Sequence, residues 1–186
     1  MQDTMIIDLY WERSQEAIVQ SNQKYGAYCH SIAWNILKNQ EDSEECVNDT
    51  WLHAWNAMPP QRPSFLKAFL GKITRNLSLN LFEKTHAAKR GGSEVELCLE
   101  ELAECIPGDT AAERSADALV IREVLNRFLK DLKKDERMIF VQRYWYLRPV
   151  KEISDAFSCS ESKVKMILLR SRKKLQSALE KEGFVL

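Results

Sequence analysis

The sequence is poor in the residues that punctuate β structure. Its 186 residues include only 6 Gly and 5 Pro, and strand-like alternation of apolar and polar positions is nearly absent, which argues against sandwiches and barrels. The length excludes large barrels and doubly wound multidomain enzymes. No run of about 18 apolar residues exists that could span a bilayer. The stretch Met1 to Trp11 carries Asp3 and Asp8 and no basic segment ahead of an apolar core, so it does not read as a secretory signal, and a cytoplasmic location is expected. The five cysteines, Cys29, Cys46, Cys98, Cys105 and Cys159, include no C-x-x-C pair, and no histidine stands at a spacing that completes a zinc set with them. They read as reduced, mostly buried thiols. His30, His53 and His86 share no metal spacing, and there is no phosphate-binding G-x-x-x-x-G-K-[ST] loop. An enzyme is therefore not expected, nor a catalytic residue, a metal, a cofactor or a small-molecule substrate.

Net charge is also absent, with 27 Lys plus Arg against 27 Asp plus Glu, but the average hides a gradient. Residues 1–82 hold 7 bases and 9 acids, residues 83–115 hold 4 and 8, and residues 116–186 hold 16 and 10. Apolar residues recur at helical spacing on both sides of the acidic segment. Tyr25, Cys29, Ile32, Ala33 and Ile36 form one stripe, Val47, Thr50, Trp51, Ala54 and Trp55 a second, and Leu66, Phe69, Leu70, Ile73, Leu77 and Leu81 a third. With a further helix before Asn22 they can enclose one core. Periodicity fails from about Glu83 to Ser115, where Gly91-Gly92 and Pro107-Gly108 occur, and it returns in four segments between Ile121 and Lys181. The expectation is an all-α protein of two small helical domains, 1–82 and 116–186, joined by an acidic flexible linker at 83–115.

The stretch Lys151 to Leu175 reads as a short helix, a turn of three or four residues and a longer helix capped at Ser160, with Ser162 as a second hydroxyl in the first turn. At about 100° per residue, Val164, Ile167, Leu168, Ser171, Leu175, Ala178 and Leu179 fall on one face. Ser162, Lys165, Met166, Leu169, Arg170 and Lys173 fall on the other. Lys163, Lys165, Arg170, Arg172, Lys173 and Lys174 supply six bases with no acid among them, a density suited to a phosphate backbone. A solvated face is the bland alternative. Against it stand the preceding short helix and the outward Met166 and Leu169, which suit thymine methyls in a major groove. Ser162, Lys163, Lys165, Met166, Leu169, Arg170 and Lys173 are the candidate DNA-reading set of a helix-turn-helix.

The first domain offers two surfaces of opposite sign. Glu41 to Asp49 contains five acids and no base, and Asp42, Glu45 and Asp49 share one side of a helix; with no oxygen-ligand loop or histidine in register, a solvated helix start or a docking face for a basic partner fits better than a metal. Pro59 to Arg90 holds seven bases and one acid, in a loop through Arg62 and Ser64 followed by a helix with Lys67, Lys72, Arg75, Asn76 and Asn80. Arg75, Asn76 and Asn80 can hydrogen-bond base edges, and the loop can receive an unstacked base.

The order EDSEECVNDTWLHAW, loop, FLKAFLGKITRNLSLN, linker, and a helix-turn-helix ending in VKMILLRSRKKL resembles the extracytoplasmic-function group of bacterial RNA polymerase sigma factors across nearly the whole chain. The resemblance implies a first domain that docks on the polymerase clamp helices through Asp42, Glu45, Asn48, Asp49 and Trp51. It also implies capture of the minus-ten element by Arg62, Lys72, Arg75, Asn76 and Asn80, and reading of the minus-thirty-five element by the second domain. The implied partners are core RNA polymerase, promoter DNA and an anti-sigma factor, which can be membrane-anchored, with a stress or envelope regulon as the output. The pattern is departed from at Phe69, where Trp is common, at Asn80, where Asp is common, and at Glu83, where a base is common. Ser158 stands at the turn position that usually holds Gly, and Ile167 and Leu169 stand where polar or basic residues are frequent.

A flexible chain of 33 residues averages about 30 Å end to end, whereas promoter elements about 25 base pairs apart are separated by about 85 Å. A scaffold must therefore hold the two domains, and the acids of the linker are expected to lie in a basic channel or against the basic surfaces of the chain itself. The alternative reading is a self-sufficient dimeric helix-turn-helix regulator that reads a palindrome without polymerase.

Overall fold

The computed structural model describes residues 1–86, 93–105 and 114–184, and all regular structure among them is helical. The helices are α1 (Asp3–Trp11), α2 (Glu16–Leu37), α3 (Gln40–Ala57), α4 (Leu66–His86), α5 (Glu94–Ala103), α6 (Arg114–Asp131), α7 (Lys134–Tyr144), α8 (Val150–Ala156) and α9 (Glu161–Lys181). The chain divides into two compact units, Met1–Arg90 and Gly91–Leu186.

In the first unit α2 packs on both α3 and α4, these pack on each other, and α1 leans on α2. The periodic stripes supply the core: Tyr25, Cys29, Val47, Trp51, Ala54, Leu66 and Leu70 are buried together with Ile6, Ile7 and Tyr10 from α1. The helix expected before Asn22 is α1, but the break falls earlier, at Arg13, whose φ of 57° takes the chain out of the right-handed helix. A ladder of small hydroxyls lets the helices approach closely. The Thr50 and Thr74 hydroxyls lie 2.9 Å apart, so one donates to the other while the second donates to a carbonyl one turn back, that of Cys46 or Leu70, and Ser78 donates to the Thr74 carbonyl. Each hydroxyl is thereby satisfied without water. Gly71 belongs to the same close packing, because a Cβ there would meet the Tyr28 hydroxyl at 2.5 Å.

In the second unit α9 packs on α6, α7 and α8, and α5 packs on α7. Phe128, Phe140 and Tyr144 meet in sequence, the first pair edge-on and the second tilted, with ring centroids 5.1 and 4.6 Å apart, and Val164, Leu168, Leu175 and Leu179 of α9 are buried.

Two features differ from the expected linker. The helix α4 runs on to His86. Residues 94–103, expected to be flexible, are helical, because Ser93 and Glu96 form a reciprocal capping box and Val95 and Cys98 are buried. Gly91-Gly92 and Pro107-Gly108 lie outside the described residues. The thiols of Cys29, Cys46, Cys98 and Cys105 are buried and that of Cys159 is half-buried; none is in a disulfide.

Candidate nucleic-acid interface

The short helix α8 ends at Ala156, and a four-residue turn leads into α9. Ser158 occupies the left-handed region with φ 49°, the conformation that Gly adopts without steric cost and Ser adopts at about 1 kcal/mol. The turn is closed by backbone bonds from Ser158 to the Asp155 carbonyl and from Cys159 to the Ser154 carbonyl. Ser160 then caps α9, its hydroxyl accepting from the Lys163 amide at 3.2 Å. Ser162 makes no cap.

The two faces of α9 separate cleanly. Val164, Leu168, Ser171, Leu175 and Leu179 are buried, with Ile167 and Ala178 at the margin. Ser162, Lys163, Lys165, Met166, Leu169, Arg170 and Lys173 are all exposed. Met166 and Leu169 keep 47% and 40% of their surface open, so neither is taken up by packing against a neighbouring helix. Arg172 differs from the other bases of α9. Its side chain is only 15% exposed, and Nη1 donates to the Tyr144 hydroxyl at 2.7 Å and reaches Glu101 at 3.4 Å.

In the first unit Asn39 caps α3 by accepting from the Asp42 amide. Glu41 and Asp42 therefore sit in the first turn, where the helix dipole favours them. Glu41, Glu44, Glu45, Asn48 and Asp49 are exposed and Asp42 is half-buried. Trp51, grouped with these residues in the docking set, is instead 4% exposed and packs in the core, so its ring is not available to a partner. Among the described residues no cluster of His, Cys, Asp or Glu has the arrangement of a metal site.

The loop after α3 is held by α1. Trp11 Nε1 donates to the Gln61 carbonyl at 3.3 Å, and Arg62 pairs with Asp8 while its guanidinium lies 5.6 Å from the Trp11 ring centre. Arg13 donates to the Trp55 carbonyl at 2.7 Å and covers that ring. Arg62 is thus already partnered within the chain, though half of its side chain stays exposed. Along α4, Lys72, Asn76 and Asn80 are exposed at four-residue intervals on one line, and Arg75 is half-buried beside them. The sequence reading missed Phe65, which ends the loop with 77% of its surface open. An aromatic directly after a Pro-rich loop and ahead of a basic helix was the available signal, since a free ring face is what an unstacked base needs.

Residues 23–87 match the Sigma-70 region 2 family and residues 128–177 match the Sigma-70, region 4 family. The chain belongs to the sigma-70 family. The region 2 match runs from within α2 through α3 to the end of α4, and the region 4 match runs from the end of α6 through most of α9, so both candidate surfaces fall inside matched stretches. No curated protein matches the chain. Sigma-70 factors are non-catalytic DNA-binding initiation factors, and membership carries promoter recognition together with core RNA polymerase. Among the described residues of this sigma-70 chain no helix is long and apolar enough to cross a membrane.

Proposed function

We propose that the chain is an extracytoplasmic-function sigma factor that acts in the cytoplasm on a stress or envelope regulon and is held inactive by an anti-sigma factor. The exposed acids and amide of α3, Asp42, Glu45, Asn48 and Asp49, dock on the polymerase clamp helices. The loop ending at Phe65, with Arg62, captures an unstacked base of the minus-ten element, and Lys72, Arg75, Asn76 and Asn80 of α4 continue that surface. On α9, Met166, Leu169 and Arg170 meet base edges in a major groove, while Ser162, Lys163, Lys165 and Lys173 serve the backbone and the groove rim. The observation that carries this reading is the outward face of α9, where two large apolar side chains stand exposed among cations directly after a helix-turn-helix turn.

Run-off transcription with purified core polymerase on a promoter library tests it. Selected promoters are expected to share two elements with a fixed spacing, and Asp49→Lys is expected to reduce co-purification with core while the helical content stays unchanged. Selection of a palindrome in the absence of polymerase would replace this reading with the self-sufficient regulator.

A further inference from the structure

Two helices, α1 and α5, lie outside both matched stretches, and α5 is held in an unusual way. Arg143, 3% exposed, is embraced by two of its carboxylates. Nη1 bonds Glu94 at 2.5 Å, while Nη2 and Nε take the two oxygens of Glu101 at 2.9 and 3.3 Å. Glu101 also accepts from the Tyr144 hydroxyl at 2.8 Å, and that hydroxyl accepts from Arg172. Burial opposes ionisation of Glu101, but the bonds from Arg143 and Tyr144 and the charges of Arg143 and Arg172 outweigh it and hold the carboxyl below the ordinary glutamate value. The group is therefore charged at neutral pH.

The far end of this network is on the reading helix. Around α9, Arg172 sits about 80° from Val164 and Lys165 about 100° from it, on the flank where the buried face meets the DNA-reading face. Glu104 lies 4.0 Å from Arg172, and Glu94, Glu101, Glu161, Lys165 and Arg172 line one groove on that flank. A guanidinium only 15% exposed and drawn by Nη1 toward a phenol and a carboxylate is poorly placed to clasp a phosphate as well, and carboxylates beside Lys165 repel one.

We propose that Glu101 is a positioning residue of the promoter-reading unit: through Arg143, Tyr144 and Arg172 it docks α5 beside α9, withdraws Arg172 from the DNA-contacting cations and so limits how many phosphates the reading helix neutralises. The proposal rests on the reading of α9 as the minus-thirty-five surface. It accounts for a basic helix whose six cations do not all face outward, and it makes affinity for duplex lower than sequence charge alone implies.

The test uses the full chain and fluorescence anisotropy on a selected minus-thirty-five duplex and a scrambled duplex, each over a salt series. Glu101→Gln is expected to tighten binding to both duplexes about three- to tenfold near 0.1 M salt and to steepen the salt slope by about 0.9, one added phosphate contact. Preference between the duplexes stays the same. Arg172→Gln is expected to change little alone and to abolish the gain in the Glu101→Gln background. Glu94→Gln, which leaves Glu101 in place, should give a smaller gain of the same sign. Unchanged or weaker binding by both carboxylate variants, or a loss of one unit of slope on Arg172→Gln alone, overturns the proposal. Arg170→Ala is the control for the underlying reading. If it leaves affinity and preference untouched, α9 is not the reading surface and both conclusions fall. If it relaxes preference while Glu101→Gln does nothing, only the role of Glu101 falls.

Discussion

The two helices that flank the family core are attached by opposite means. In α1, Ile6, Ile7 and Tyr10 are buried and the Tyr10 hydroxyl meets Ser21 at 2.9 Å, whereas its ion pairs, Asp3 with Lys24 and Asp8 with Arg62, are between a third and a half exposed. In α5 the buried residues are Val95 and Cys98, Leu97 and Leu99 remain about 40% exposed, and the charge it engages, on Arg143, is buried. Apolar burial is little affected by charge screening and tolerant of charge changes; a buried guanidinium is intolerant of losing its carboxylates. The contrast teaches that α1 behaves as a permanent part of its unit, and that α5 is held by interactions whose strength depends on ionisation.

The largest effect should come from breaking the charged attachment. Replacing both Glu94 and Glu101 by Gln leaves Arg143 buried without an anionic partner and should destabilise the second unit by about 3–5 kcal/mol in chemical denaturation. Protection of the α5 amides in hydrogen exchange should be lost before that of α9. An effect of similar size is expected at the apolar attachment, where Ile6→Ala should cost about 2–4 kcal/mol, confined to the first unit. The smallest belongs to the exposed pair: Asp8→Asn should change stability by under about 1 kcal/mol, with no larger effect at low salt than exposed pairs ordinarily show. If Asp8→Asn cost as much as the double carboxylate substitution, the distinction between the two helices would not hold.

Much of this was legible in the sequence wherever a single helix had one apolar and one charged face. The partition of α9 followed from periodicity, because its buried residues return every three or four positions, and the left-handed Ser158 could be anticipated from the turn position it occupies. The helix α5 was not legible by that route, since its apolar residues point both inward and outward and acids dominate its composition. Its start was written locally, in Ser93 and Glu96, but its docking depends on Arg143 and Arg172, more than 40 residues away in the chain. Trp51 shows the converse. Its place in the apolar stripe was a better guide than the docking role the resemblance implied, because a ring on the inner face of α3 is consumed by the core. Arg62 was assigned to the minus-ten surface, and its pairing with Asp8 was invisible because it joins residues 54 positions apart.

The central claim is that the outward face of α9 reads promoter sequence, and promoter selection by reconstituted polymerase with Arg170→Ala and Lys173→Ala variants tests it most directly. Arg170→Ala should cost about 1–3 kcal/mol at the preferred site and relax selection at one base position. Lys173→Ala should weaken all sequences alike and lower the salt slope by about one unit. Identical selected sequences and affinities for the wild type and Arg170→Ala would contradict the assignment of this face.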